Sequence, residues 1–279
     1  MDVGVTVGDS VERLEATADD FVFAELSIGE SSHVPAEAAD SHLRTALEST
    51  DAELCVHLPF DQVVATPVPQ LNDAIIDYLA ELLDWAGTLG ARKAVLHGTM
   101  RNPHSTGQRR VFADQLSGIA GAGDDAGVEL VVENVGHQAR GLPLSVLGDI
   151  ARETGTAVCF DVGHAYMEDD HDGIERFLDE YVDLVSHLHV HDVRRRGDTH
   201  LPIGAGEVDY GLVADSLPDF DGTVAVEVFT DDVLLLRDSA DRARTYQSKE
   251  ASGPDGELNA RLQTATSRCI YSLHSAHRS

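Results

Sequence analysis

The sequence is poor in lysine, in cysteine and in long apolar runs, and each shortage removes a class of protein. Lysine occurs only at Lys93 and Lys249, so 20 basic residues, nearly all arginine, stand against 49 acidic ones and the formal charge is −29. In ordinary buffer that balance repels DNA and anionic membrane surfaces. The acidic excess is spread along the chain and not gathered into a tail. Such a distribution is expected of a halophilic protein, whose carboxylates keep its surface hydrated while salt screens their repulsion. The charge therefore speaks of habitat more than of partner. Three cysteines, Cys55, Cys159 and Cys269, lie far apart without CxxC spacing, which indicates neither a disulfide framework nor a thiolate zinc site. Cys55 and Cys159 sit inside apolar runs and read as small core residues. No run approaches the roughly 18 apolar residues of a membrane span, and Met1-Asp-Val-Gly-Val-Thr6 lacks the basic start of a signal peptide. A cytoplasmic location is expected.

What is present is a regular alternation. Apolar, β-branched runs recur at 3–7, 21–26, 54–57, 93–97, 128–133, 157–161, 185–191 and 223–228, eight in all. Between them the spacing predicts helices over 10–18, 35–48, 70–89, 108–123, 143–154, 173–183 and 231–246, the clearest having Leu71, Ile75, Tyr78, Leu79, Leu82, Leu83 and Ala86 on one face. Gly90, Gly127 and Gly155 fall where helices should stop. Strands alternating with helices give a parallel sheet, and eight such units in 279 residues close into a single (β/α)8 barrel spanning 1–246. A doubly wound open sheet is the alternative, against which stands the missing Gly-rich phosphate loop after the first strand. Residues 247–279, with Ser252-Gly-Pro-Asp-Gly256 and weak periodicity, read as a loose tail.

In a parallel barrel the chemistry sits at the C-terminal ends of the strands. There the sequence places His57, His97, Glu133, Asp161 with His164, a His187-Leu-His189-Val-His191 run, Asp198 and His200 in the next loop, and Glu227. Alternation puts His187, His189 and His191 on one face, so they need not all be ligands. A lone strand-end histidine or glutamate is usually just hydrogen-bonded. Four carboxylates and several imidazoles converging on one mouth would instead repel and take up protons unless a cation joined them, and this mixture suits a divalent ion such as zinc or manganese. Arg194-Arg-Arg196 admits a phosphate contact or a solvated loop, and Gly204-Ala-Gly206 reads as a backbone requirement in a turn. His33, His42, His104, His137, His171, His274 and His277 lack context and read as surface or loop residues.

The motifs His57-Leu-Pro-Phe60, Glu133-Asn134, Asp161-Val-Gly-His164, His189-Val-His-Asp192 and Asp198-Thr-His-Leu-Pro-Ile-Gly-Ala-Gly-Glu-Val-Asp209 resemble those of the xylose isomerase-like barrels, a superfamily of sugar isomerases, sugar epimerases and endonuclease IV. The resemblance runs from about Val3 to Arg244. In the isomerase and epimerase branch it implies one divalent ion, manganese, zinc, cobalt or magnesium, held by Glu133, Asp161, His189 and Glu227, with His164 near a sugar or sugar-phosphate substrate. Glu133 and Glu227 would then act as base and acid on a carbon acidified by the ion. In the endonuclease IV branch it implies up to three zinc ions held by these residues together with His57, His97, His164, Asp198 and His200, acting on abasic DNA. The loop after His57 carries no Lys or Arg to enter a duplex, so nucleic acid is the less favoured partner and the sugar enzyme the favoured reading. A barrel that binds metal or sugar without turnover is a third reading. At Ala205 the sequence departs from the Gly-Glu-Gly common in such relatives, which puts in doubt any acid role there.

Overall fold

Strands that are apolar on both faces can be buried only in a parallel sheet packed inside and covered outside. The computed structural model, which describes residues 1–29, 37–195 and 197–247, meets that requirement with a closed parallel barrel. Its strands are β1 (Asp2–Gly8), β2 (Phe23–Ser27), β3 (Glu53–His57), β4 (Ala91–His97), β5 (Glu129–Glu133), β6 (Ala157–Asp161), β7 (Val185–Val190) and β10 (Thr223–Val226). The order around the barrel is β1-β10-β7-β6-β5-β4-β3-β2. A separate antiparallel hairpin, β8 (Asp192–Arg194) with β9 (Gly197–Leu201), stands on the rim after β7.

The helices are α1 (Val11–Thr17), α2 (Glu37–Glu48), α3 (Pro69–Thr88), α4 (Thr106–Ala126), α5 (Leu144–Thr154), α6 (Val162–Tyr181), α7 (Tyr210–Ser216) and α8 (Val233–Gln247). Most of the apolar core lies between this ring and the outer faces of the strands, where Leu79, Leu82, Leu83 and Ala86 of α3 are buried. Leu71, expected on the same face, is 53% exposed at the first turn. As expected, α4 and α5 stop at Gly127 and Gly155, whose φ of 72° and 70° suit glycine best.

Three differences from the sequence reading concern the rim. Helix α6 begins directly after β6, because the Asp161 side chain accepts a 2.7 Å bond from His164 N and caps it. The expected start at Gly173 reflects an interruption at Asp169 and Asp170, whose backbone is not helical. Residues 192–201, expected as loop, form the β8–β9 hairpin, and α7 was not foreseen.

Inside the barrel, side chains are layered. Phe23, Cys55, Val95, Val131, Cys159 and Ala225 are all fully buried, in two small clusters within the barrel. Each stands two residues before a rim residue on or just past its own strand: Glu25, His57, His97, Glu133, Asp161 and Glu227. With a strand period of two, the apolar layer is therefore the floor beneath the rim. The free thiols of Cys55 and Cys159 belong to this floor, as their apolar context predicts. One layer lower, Lys93 Nζ donates to Ser186 O at 2.7 Å and lies 3.2 Å from Glu129. Among the described residues no helix is long and apolar enough to cross a membrane, and the expected tail from 248 onward lies outside them.

Candidate metal centre

Register sets the inner ring of the site. His97 pairs with Glu133 across β4 and β5, and Asp161 with His189 across β6 and β7, so these side chains leave the barrel at neighbouring points of one rim. Glu227, just past β10, stays in line by donating its N–H to Val190 O at 3.1 Å. Asn134 locks β5 to β6: its Oδ1 accepts from Asp161 N at 2.7 Å and its amide donates to Asp161 O at 2.9 Å.

All nine residues singled out in the sequence converge here, in groups whose ligand atoms lie within 4.8 Å of one another. The central group is Glu133, Asp161, His189 and Glu227; His57 and His97 form a second with Glu133; His164, Asp198 and His200 form a third with His191. Glu133 joins the first two, with Oε2 at 3.2 Å from both His57 Nε2 and His97 Nε2 and Oε1 at 3.5 Å from His189 Nδ1. In the third, Asp198 lies between His200 Nε2 at 2.9 Å and His164 Nε2 at 3.3 Å.

The donors fit a divalent cation. Imidazole nitrogens and carboxylate oxygens are a suitable ligand mixture. His189 Nδ1 and Glu227 Oε2 are buried, 3.2 Å apart, and without a hydrogen-bond partner among the described residues. His189 is the better poised because its other nitrogen, Nε2, is taken up by the Glu25 carboxylate at 3.0 and 3.2 Å. Such a carboxylate behind a ligating histidine fixes its tautomer and raises its basicity.

Glu25 is the principal residue that sequence reasoning missed. It is 1% exposed on β2, and also meets His187 Nε2 at 3.1 Å, while His187 Nδ1 lies 2.6 Å from Thr223 Oγ1. His187 thus belongs to the support beneath the centre, and only His189 of the three alternating histidines enters the central group. His191 Nε2 sits 3.1 Å from both Asp161 oxygens, and its Nδ1 is a further buried atom without a hydrogen-bond partner among the described residues. His137, expected as a surface or loop residue, lies in the loop after β5 and is packed at the rim with its ring 4.3 Å from that of His164 and Nε2 3.7 Å from Asp198. His42 is exposed as expected, and His33, His274 and His277 lie outside the described residues.

The electrostatics are those of ion pairs in a dry site. Burial alone would push the carboxyls up, but neighbouring imidazoles outweigh it: His97 and His189 hold Glu133 well below the carboxylate range, and His164 and His191 hold Asp161 down. Glu227, Asp198 and Glu25 are lowered in the same way. Burial pushes the imidazoles of His57, His164, His189 and His200 down, yet the acidic groups facing them leave all four raised. His137, dominated by burial and by His164, falls to about 4. Protons on these histidines thus balance the carboxylates, the role a bound cation would take over.

Above the centre opens a cavity of about 330 Å³, walled by Thr6, Ser27, Gln138, Phe60 and Phe229. Phe60 and Phe229 are 58% and 70% exposed at its rim, and Phe229 stacks on His200 at 4.0 Å. The hairpin bearing Asp198 and His200 is held by Asp192, which accepts from Gly204 N at 2.9 Å and Val208 N at 3.1 Å. A Cβ at Gly206 would lie 2.1 Å from Asp192 Oδ1, so the glycine is a backbone requirement as expected. Of the arginine run, Arg194 donates to Ala205 O at 2.9 Å and Arg195 pairs with Asp170, so both are committed to the chain itself.

Comparison with known proteins gives the same fold. Residues 14–250 match the family described as xylose isomerase-like TIM barrel. An uncharacterised protein of Methanocaldococcus jannaschii, MJ1614, is 21% identical over 82% of this chain and 88% of its own. Among solved structures, a D-tagatose 3-epimerase-like protein is similar at a TM-score of 0.74 and 21% identity, covering 88% of this chain and 97% of that one. A protein from Thermus thermophilus, solved after soaking with ZnCl2, is similar at 0.70 and 23%, covering 90% and 100%. L-ribulose 3-epimerase is similar at 0.72 and 16%, covering 100% and 99%.

Proposed function

The chain belongs to the xylose isomerase-like TIM barrel family, and from that premise we propose that it is a divalent-metal-dependent isomerase or epimerase of a sugar or sugar phosphate. One observation carries the reading. Glu133 and Glu227 come from β5 and from the end of β10, three positions apart around the barrel, yet both reach His189 Nδ1, at 3.5 and 3.2 Å, at the base of a cavity of about 330 Å³. Two carboxylates so placed can address one bound carbon from two sides. The similar epimerase structures agree with it, although at 21% identity or less they speak for the fold alone.

Glu133, Asp161, His189 through Nδ1, and Glu227 would hold the ion. Bound there, a divalent metal supplies Lewis acidity that makes the carbon next to a chelating carbonyl easier to deprotonate. The chain does the rest. Both carboxylates are lowered by their histidines, so one can accept the proton from carbon while the other, having taken a proton from solvent, returns one to the opposite face, and the first then releases its proton to solvent. Glu25 fixes the ring of His189, His164 presents a nitrogen beside Glu133 at 3.2 Å, and the phenylalanines at the rim limit water. The test is deuterium uptake from D2O into ketoses and ketose phosphates, followed by NMR on metal-loaded protein. Uptake that Glu227→Gln removes is expected; no uptake from a broad panel would defeat the reading.

A second reading has its own observation. The His57–His97–Glu133 and His164–Asp198–His200 groups adjoin the central one, and a single-ion sugar site makes no use of His57, His97, His164, Asp198 or His200 as ligands. Three ions there would suit phosphodiester hydrolysis, including cleavage at an abasic site. About one ion per chain supports the sugar enzyme. Close to three, with a metal-dependent nick in abasic duplex, supports the hydrolase.

A further inference from the structure

Arg13 stands out among the carboxylates and imidazoles that line the cavity. Glu25, Glu133, Asp198 and Glu227 all line it, and among its described lining residues Arg13 is the single Arg or Lys. Its place is built. Ser10 caps α1 by accepting Arg13 N at 3.1 Å, which puts the residue in the first turn of the helix after β1, next to β10 in the barrel. From there the guanidinium reaches the loop after β10 and donates from Nη2 to Val228 O at 3.3 Å, one residue beyond Glu227.

That single bond is a small use of five donors. Nη1 is 4.0 Å from Asp231, beyond hydrogen-bond range, and Asp231 is fully exposed. Nε is buried with no partner among the described residues, and the side chain as a whole is only 23% exposed. A half-buried guanidinium whose donors are largely unspent, in a cavity without another such cation, is suited to a planar or tetrahedral oxyanion gripped by two donors. Arg194 and Arg195, on the hairpin side of the rim, are already engaged with Ala205 and Asp170.

We propose that Arg13 is a specificity-determining residue that anchors an anionic substituent, a phosphate monoester or a carboxylate, on the substrate whose reacting carbon lies at Glu133 and Glu227. This rests on the sugar reading and narrows it: the enzyme takes sugar phosphates or sugar acids in preference to neutral sugars. The anchor holds the substrate at the mouth and leaves the proton-transfer pair free at the base.

The experiment is calorimetric titration of metal-loaded protein, at fixed salt, with ribitol, ribitol 5-phosphate and ribonate, using wild type, Arg13→Lys and Arg13→Met. Wild type should bind at least one anionic ligand tenfold or more tighter than ribitol. That preference should fall at least tenfold in Arg13→Met and to an intermediate value in Arg13→Lys, with thermal melting confirming that both variants are folded. If the phosphate is held by the metal instead, Arg13→Met keeps the full preference and the proposal is overturned. If wild type binds ribitol with no anionic preference, the anchor falls and the sugar reading stands. If none of the three ligands binds, the anchor falls, and the sugar reading is decided separately by the deuterium-uptake panel.

Discussion

The inner and outer parts of the candidate ligand set are built by different means. Glu133, Asp161 and His189 are each no more than 1% exposed, and their positions follow from a parallel ladder in register. The outer group has His164 in the first turn of α6 and Asp198 and His200 on a short hairpin, with the Asp198 side chain 31% exposed and His200 at a φ of 42°. What holds it is a set of local devices: the Asp161 cap, the Asp192 bonds, and Tyr210 donating to His191 O at 2.7 Å. Chemistry on the ladder is fixed by the fold, whereas chemistry on the hairpin can change without disturbing the barrel.

If the inner group carries the reaction, its removal should have the largest effect. Glu227→Gln keeps shape but loses charge and proton transfer, and should lower deuterium uptake by about 10²- to 10⁴-fold with an unchanged melting transition. Retained uptake would take Glu227 out of the mechanism. Next comes the support of the inner group: Glu25→Gln should weaken metal binding by about 10- to 100-fold in chelator competition, since His189 loses its orienting carboxylate. Unchanged affinity would mean that Nε2 needs no such partner.

The comparison can also be sharpened with pH. In chelator-stripped protein the raised histidines contribute stability below about pH 6.5, which is lost as pH rises through their folded values. The lowered carboxylates contribute stability above about pH 4, lost as pH falls through theirs. Melting temperature of stripped protein should therefore peak between these limits and decline at higher pH, while metal-loaded protein gains there as ions replace protons. A stripped protein that climbs steadily with pH would show that the histidines are not held as cations. Asp198→Asn, in the outer group, should have the smallest effect, about tenfold or less on sugar turnover. A loss as large as that of Glu227→Gln would move the chemistry outward and favour the hydrolase.

Much of this was legible in the sequence. Eight β-branched runs located the strands, and a polar residue at each of six strand ends located the rim, because a parallel barrel leaves such residues nowhere else to cluster. Glu25 was not found because a lone glutamate in Phe23-Ala-Glu-Leu26 resembles a solvent-facing residue. The available signal was that barrel strands are covered outside by helices, so a charged residue within one points to the interior. Lys93, only 7% exposed, carries the same lesson. His137 and Arg13 reach the site through loop and helix-start geometry, which depends on contacts between segments distant in sequence and leaves no local periodicity.

The most direct test of the central claim is NMR detection of carbon-bound deuterium in ketoses and ketose phosphates incubated with metal-loaded protein in high-salt D2O. The account expects uptake at a single carbon beside the carbonyl, dependent on metal and lost in Glu227→Gln. No uptake from any sugar, alongside metal-dependent cleavage of an abasic duplex, would contradict it.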